Sequence, residues 1–304
     1  SLARQGYVVF SYDMAGYNDT KQTNHVFGGK NEQLWSFGPL QLQLWNSIRA
    51  LDFLQGLKDV DDSRIAVTGA SGGGTQSFLL AAIDRRVKVA APVNMVSGMM
   101  QGSCECENAP GLRLDTSNIE IAALIAPRPL LLVSATGDWT KNVPHVEFPA
   151  IQKIYALYRG ATNVESVQIN AGHNYNKDSR EAVYRFFAQH LLHDPEPARI
   201  VEQPFVVPDA EALRVSDGKK PSAGSLDYAG IFQRWKALRP PPHNPHFSRF
   251  LLSTYLNVEW PDKVWSELHN GRVGLSRVST RRARLRRGSC PRWTDWCNRA
   301  GPCC

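Results

Sequence analysis

One serine, one aspartate and one histidine in this 304-residue chain sit where acyl-transfer chemistry would want them. Ser71 lies in Gly69-Ala70-Ser71-Gly72-Gly73, which fits a Gly-x-Ser-x-Gly nucleophile elbow. The apolar run Ile65–Val67 precedes it and predicts a buried strand; Phe78-Leu79-Leu80-Ala81-Ala82 follows and predicts a helix. A serine held on so tight a strand-to-helix turn has strained backbone, and side chains at Gly69 or Gly73 are expected to collide with neighbouring backbone. The turn also puts Ser71 at the positive end of a helix, where a developing oxyanion is stabilised. A phosphate loop is the competing reading of such glycines. No Gly-Lys-Ser/Thr follows, however, and Gly-x-Gly-x-x-Gly does not fit.

The partners of such a serine should come in the order acid, then histidine. Pro129–Ala135 predicts a buried parallel strand ending in Thr136-Gly137-Asp138-Trp139-Thr140. Val164–Ile169 predicts another, running into Asn170-Ala171-Gly172-His173. Asp138 and His173 therefore fall just beyond strand ends, where α/β sheets carry functional groups. In the implied chemistry Ser71 attacks a carbonyl carbon and His173 relays its proton to the leaving alcohol. Asp138 orients the imidazole, and the Gly72 amide gives one oxyanion donor, a contact worth about 3 kcal/mol of barrier. Taken one at a time, Asp138 also reads as a turn residue and His173 as a surface-loop histidine. Glu105, Glu107 and Asp115, on the loop after a further strand at Val87–Val93, offer alternative positions for the acid, with Glu107 the foremost.

These motifs need a scaffold of alternating strands and helices. Leu40–Leu54, Phe148–Arg159 and Ser179–Leu192 carry apolar residues at helical spacing, and Tyr7–Asp13 reads as an additional strand after a helical turn closed by Gly6. The expected class is α/β, a mostly parallel sheet with helices on both faces. The chain resembles the acetylxylan-esterase-like branch of the α/β-hydrolases, related to dienelactone hydrolases and the prolyl-oligopeptidase superfamily. The likeness lies in Gly69–Gln76, Ala91-Pro92-Val93-Asn94-Met95, Cys104–Pro110, Ser134–Lys141 and His173-Asn174-Tyr175, and covers about residues 1–206. It implies Ser71, Asp138 and His173 as a catalytic triad, and hydrolysis of short acyl, especially acetyl, esters of carbohydrate. A serine peptidase of prolyl-oligopeptidase type shares the elbow and the residue order, and a catalytically impaired binding module is the alternative outside enzymes.

That resemblance also implies that the first strands of the sheet, and the loop giving the second oxyanion donor, lie upstream of Ser1. One such strand is expected between Tyr7–Asp13 and Ile65–Thr68. Three segments are expected: an incomplete hydrolase domain at 1–206, a linker and partial second module at 207–277 with an aromatic helix around Phe232–Trp235, and a disordered or non-native tail at 278–304. No compartment is implied.

Composition narrows the partners. Of the net charge of +7, six units come from the tail, where seven arginines face one aspartate. The hydrolase segment is nearly neutral, so nucleic acid is not an expected partner. No apolar run is long enough to span a membrane. The tail holds Cys290, Cys297, Cys303 and Cys304, leaving Cys104 and Cys106 in the hydrolase segment. A Cys-x-Cys pair is poorly placed to bridge itself, and the spacing predicts neither a metal site nor any cofactor. Both cysteines read as loop residues shaping a pocket.

Overall fold

A computed structural model describes residues 1–215 and 224–238, apart from 22, 26, 101, 103 and 110, and the backbone of 264–269 and 272–277. Four strands form one parallel sheet in chain order: β1 (Ile65–Ala70), β2 (Val87–Val93), β3 (Leu130–Ala135) and β4 (Val164–Ile169). β2, β3 and β4 lie within a residue of their expected positions, and β1 runs on past Val67 to Ala70; the mainly apolar β2 and β3 are the strands buried on both faces inside the sheet. The helices are α1 (Lys30–Leu34), α2 (Pro39–Gln55), α3 (Gly72–Ile83), α4 (Asn118–Ala123), α5 (Glu147–Leu157), α6 (Lys177–Phe187) and α7 (Tyr228–Leu238). The last turn of α6 widens into a π-helical segment at Ala188–Leu192.

The period of two along the inner strands, offset by one in β2 where its register against β1 shifts between Val87 and Val89, divides the core. Val87 and Ala90 of β2, with Leu130 and Leu132 of β3, pack among Leu40, Leu51, Phe78, Ile121, Ile151 and Tyr155 from α2–α5. Val89, Ala91 and Val93, with Leu131 and Val133, face Val183, Phe186 and Phe187 of α6. The sheet is thus covered on both faces, as the sequence pattern requires. Arg128 fastens one end of it. Its guanidinium donates to the carbonyls of Ala81 and Val87, while its own carbonyl accepts from the buried Tyr155 hydroxyl at 2.8 Å. The Ala81 carbonyl, an orphan of the last turn of α3, is satisfied in this way.

Tyr7–Asp13 is not a strand. A strand needs a hydrogen-bonded neighbour, and between this segment and β1 lies a slot of about 490 Å³ lined by Tyr7–Tyr12, Ile65–Thr68 and Leu80. β1 is accordingly an edge of the four-stranded sheet. Val8, Val9 and Phe10 remain largely exposed beside it.

The chain separates into two compact units, 1–240 and 241–304. Within the first, α7 lays its aromatic face on Phe37, with Phe232 at 5.3 Å and Trp235 at 5.2 Å between ring centroids. Trp235 also donates to the carbonyl of Trp35 at 3.0 Å. In the second, β5 (Val264–His269) and β6 (Arg272–Arg277) pair antiparallel. Most of the linker expected within 207–277, residues 216–223, and the basic tail 278–304 lie outside the described residues. Among the described residues no helix is long and apolar enough to cross a membrane.

Candidate active site

Because all four strands run parallel, the loops after β1, β3 and β4 emerge at one edge of the sheet, carrying Ser71, Asp138 and His173. Ser71 occupies the N-cap of α3 with φ 55° and ψ −123°, a region that side-chain-bearing residues rarely adopt. An N-cap serine ordinarily turns its hydroxyl onto the helix amides; here it makes no such bond. The hydroxyl and the first amides of α3 are both left for other work. The elbow is held by Ser71 N donating to Val93 O at 3.1 Å and Thr75 N donating to Ser71 O at 2.9 Å.

The glycines divide differently from the sequence expectation. A Cβ on Gly69 would lie 2.6 Å from the Gly73 carbonyl, so that position does demand glycine. Nothing outside the local helix backbone would meet a Cβ on Gly73. The second close approach is at Gly74, where a Cβ would sit 2.8 Å from both Val93 O and Met95 Cβ. The reason is geometric: Gly73 faces away from the sheet at the first turn of α3, and the next residue is the one pressed onto β2.

Asp138 and His173 meet directly, with Asp138 Oδ2 2.9 Å from His173 Nδ1. The Asp138 side chain is only 2% exposed, and its other oxygen accepts from Thr140 N at 2.7 Å and Thr140 Oγ1 at 2.5 Å. Both carboxylate oxygens are thus committed, which fixes the rotamer that faces the ring. The two loops are also joined through their backbones: Thr136 N donates to Ile169 O at 3.0 Å, and Gly137 N to Ala171 O at 2.9 Å. A Cβ on Gly137 would be 2.9 Å from that same Ala171 oxygen, so the close approach needs the glycine.

Three further groups hold the histidine loop, and sequence reasoning missed their roles. Trp139 packs its ring on His173 with centroids 4.3 Å apart. Asn94, buried after β2 with φ 52°, donates to the Asn174 carbonyl at 2.9 Å. Thr68 Oγ1 donates to Ala91 O and accepts from Tyr175 Oη at 2.7 Å, and burial raises the Tyr175 phenol above its ordinary range. Asn94, Trp139 and Tyr175 all lie in the segments that carry the family resemblance, but that likeness did not say what each one touches. Among the described residues, no hydrogen bond joins the Ser71 hydroxyl to the ring of His173.

Glu107 approaches the elbow from the other side. Its carboxylate is buried, accepts from Cys104 N at 3.3 Å, and lies 3.9 Å from the place a Gly72 Cβ would occupy. Its backbone carbonyl accepts from Arg113, whose guanidinium also holds Asn108 and Asn118 at 2.8 Å each. Burial pulls Arg113 down to about 10, still a cation at neutral pH. Asp115 is exposed and Glu105 half-buried, both without a described bond to the ring. Cys104 and Cys106, expected to remain unbridged, form a disulfide with Cα atoms 5.4 Å apart. The turn at 104–107 folds the chain tightly enough to bring the two sulfurs together, and it is closed by Glu107 N donating to Cys104 O.

No known family profile matches the chain. It is 29% identical over 206 residues to "Putative hydrolase YtaP" of Bacillus subtilis (strain 168), spanning 62% of this chain and 67% of that protein. Its structure is similar to that of "Methylesterase BT1017", with a TM-score of 0.52 and 37% identity, over 59% of this chain and 40% of that one. A carbohydrate esterase family 15 glucuronoyl esterase from Caldicellulosiruptor kristjansonii overlaps more loosely, with a TM-score of 0.46, 19% identity and coverage of 58% and 56%. The chain therefore spans well under half the length of the methylesterase.

Proposed function

Proceeding from an α/β-hydrolase-type fold, we propose that this chain carries the site of a serine carboxylic-ester hydrolase with Ser71, His173 and Asp138 as its triad. The observation that carries the reading is the 2.9 Å pairing of Asp138 with His173 Nδ1 at the sheet edge where Ser71 stands on its strained turn. The likeness to a methylesterase at 37% identity supports ester chemistry.

In this mechanism Asp138 accepts from Nδ1–H, so Nε2 keeps the lone pair that removes the Ser71 proton. The Ser71 oxygen bonds to the ester carbonyl carbon, and the carbonyl oxygen takes up the negative charge beside the Gly72 amide. The intermediate collapses as the carbon–oxygen bond to the alcohol breaks, and His173 protonates the departing oxygen. Water then repeats the sequence on the acyl-enzyme, releasing the acid and restoring Ser71. The missing serine–histidine bond does not oppose this, since such contacts often tighten only with substrate bound.

The substrate class proposed is short acyl, especially acetyl, esters of carbohydrate. The methylesterase likeness favours a second reading in which the small group is the alcohol, a methyl ester of a sugar acid. Labelling by a fluorophosphonate tests the nucleophile, and hydrolysis of acetylated against methyl-esterified polysaccharide tests the substrate. Labelling lost in Ser71→Ala is expected. A folded protein that takes no label, or label that survives in Ser71→Ala, refutes the assignment.

A further inference from the structure

We propose that His25, Cys104 and Cys106 form a site for a soft divalent cation such as zinc, closed by the Cys104–Cys106 disulfide and opened by its reduction. One donor atom from each residue, two sulfurs and a ring nitrogen, lies within 4.8 Å of the others. The three come from distant stretches of chain, the loop before α1 and the loop after β2, so their meeting is a product of the fold.

The imidazole is already set for ligation. Nδ1 of His25 lies 2.9 Å from the carbonyl of Ala15, and a carbonyl can only accept. The proton is therefore on Nδ1, which leaves Nε2 with a free lone pair. Metal-binding histidines are commonly oriented by such an outer hydrogen bond. The Tyr17 ring packs on the imidazole at 4.4 Å between centroids and limits its rotation. His25 and Cys104 are half-buried while Cys106 is buried, giving an anchored site with a solvent-facing side.

The chemistry selects the ion. Two thiolates and an imidazole suit zinc and other soft or borderline cations, not magnesium or calcium. Tetrahedral zinc with bonds of about 2.3 Å to sulfur wants the sulfurs roughly 3.8 Å apart, an opening of about 1.7 Å from bonding distance. Three protein ligands leave a fourth position for water.

Opening the site is a balanced exchange. A dithiol reductant gives two electrons and two protons, becoming a disulfide while Cys104 and Cys106 become thiols. Binding a divalent ion to both as thiolates then releases those two protons. Disulfide and bound metal exclude one another, so the same pair reports either an oxidising or a reducing, metal-replete surrounding. Cys106 Sγ lies 3.7 Å from where a Gly72 Cβ would be, so this exchange takes place against the elbow. The proposal does not depend on the esterase reading.

The test uses the full chain with Cys290, Cys297, Cys303 and Cys304 changed to serine, leaving Cys104 and Cys106 as its two remaining cysteines. One portion is left oxidised; the other is reduced with dithiothreitol and desalted without air. Each is titrated with cobalt(II), whose thiolate charge-transfer and tetrahedral d–d absorptions report the ligands. The reduced protein should saturate at one cobalt per chain, zinc should displace it, and the oxidised protein should show no such absorption. His25→Gln should weaken binding by roughly tenfold or more. The proposal falls if the reduced protein gives no charge-transfer band, if oxidised and reduced protein behave alike, or if His25→Gln binds as tightly as its parent. The oxidised–reduced comparison needs no change at any ligand, so it decides the matter even if His25→Gln misfolds.

Discussion

Replacing the elbow glycines one at a time should separate the position that packs on the sheet from the position that does not. In Gly74→Ala the new methyl would stand 2.8 Å from Met95 Cβ and 2.8 Å from Val93 O, both closer than non-bonded atoms allow. Relief requires α3 to lift from β2, an overpacking cost of about 1–3 kcal/mol. The pressed atom also matters to the site, because Val93 O is the acceptor that holds Ser71 N at 3.1 Å. Gly74→Ala should therefore lose both stability and reactivity of Ser71. In Gly73→Ala the methyl meets nothing outside the local helix backbone, and alanine is favoured over glycine in helices by up to about 1 kcal/mol. The two variants, one methyl each on adjacent residues, should differ by roughly 1–4 kcal/mol. Urea unfolding at a common m-value measures this as a shift in midpoint, and the rate of fluorophosphonate labelling reads Ser71 independently. Equal stabilities for the two variants, or a Gly74→Ala protein that keeps its labelling rate, would refute the packing argument.

Two other outcomes are expected. Asp138→Asn should lower ester hydrolysis by about four orders of magnitude with the fold intact, whereas Glu107→Gln should keep most activity; the opposite ranking in the same assay would transfer the acid role to Glu107. Glu202 is held down at about 2 by the Arg180 guanidinium, at 2.7 and 2.5 Å, and by the Tyr184 hydroxyl at 2.8 Å. A carboxyl depressed in the folded state stabilises above its unfolded value and loses that contribution as pH falls through the folded one. Glu202→Gln should thus cost about 1–3 kcal/mol near pH 7, and the gap from the parent should close between about pH 5 and pH 2 in thermal unfolding scans.

The elements that position the site were legible because each has a local cause. Mainly apolar runs predict β2 and β3 to within a residue, since a buried parallel strand accommodates them, and the β-branched Val164, Val167 and Ile169 mark β4. The helical spacing in Leu40–Leu54 and Phe148–Arg159 likewise marks α2 and α5. Ser71, Asp138 and His173 could be named because post-strand position is itself a sequence property. Tyr7–Asp13 failed as a strand for the complementary reason: its apolar pattern is local, but strand pairing belongs to a neighbour, and a slot lies where that neighbour would be.

By itself, then, the sequence determined the order of strands and helices and the three residues at their ends. Tertiary structure decided which groups touch. It set Asp138 on His173, pressed Gly74 and not Gly73 onto β2, and brought His25 to the Cys104–Cys106 pair from some eighty residues away. Periodicity encodes burial, which each residue meets on its own, whereas a contact depends on two backbone paths converging, and no local pattern carries that information.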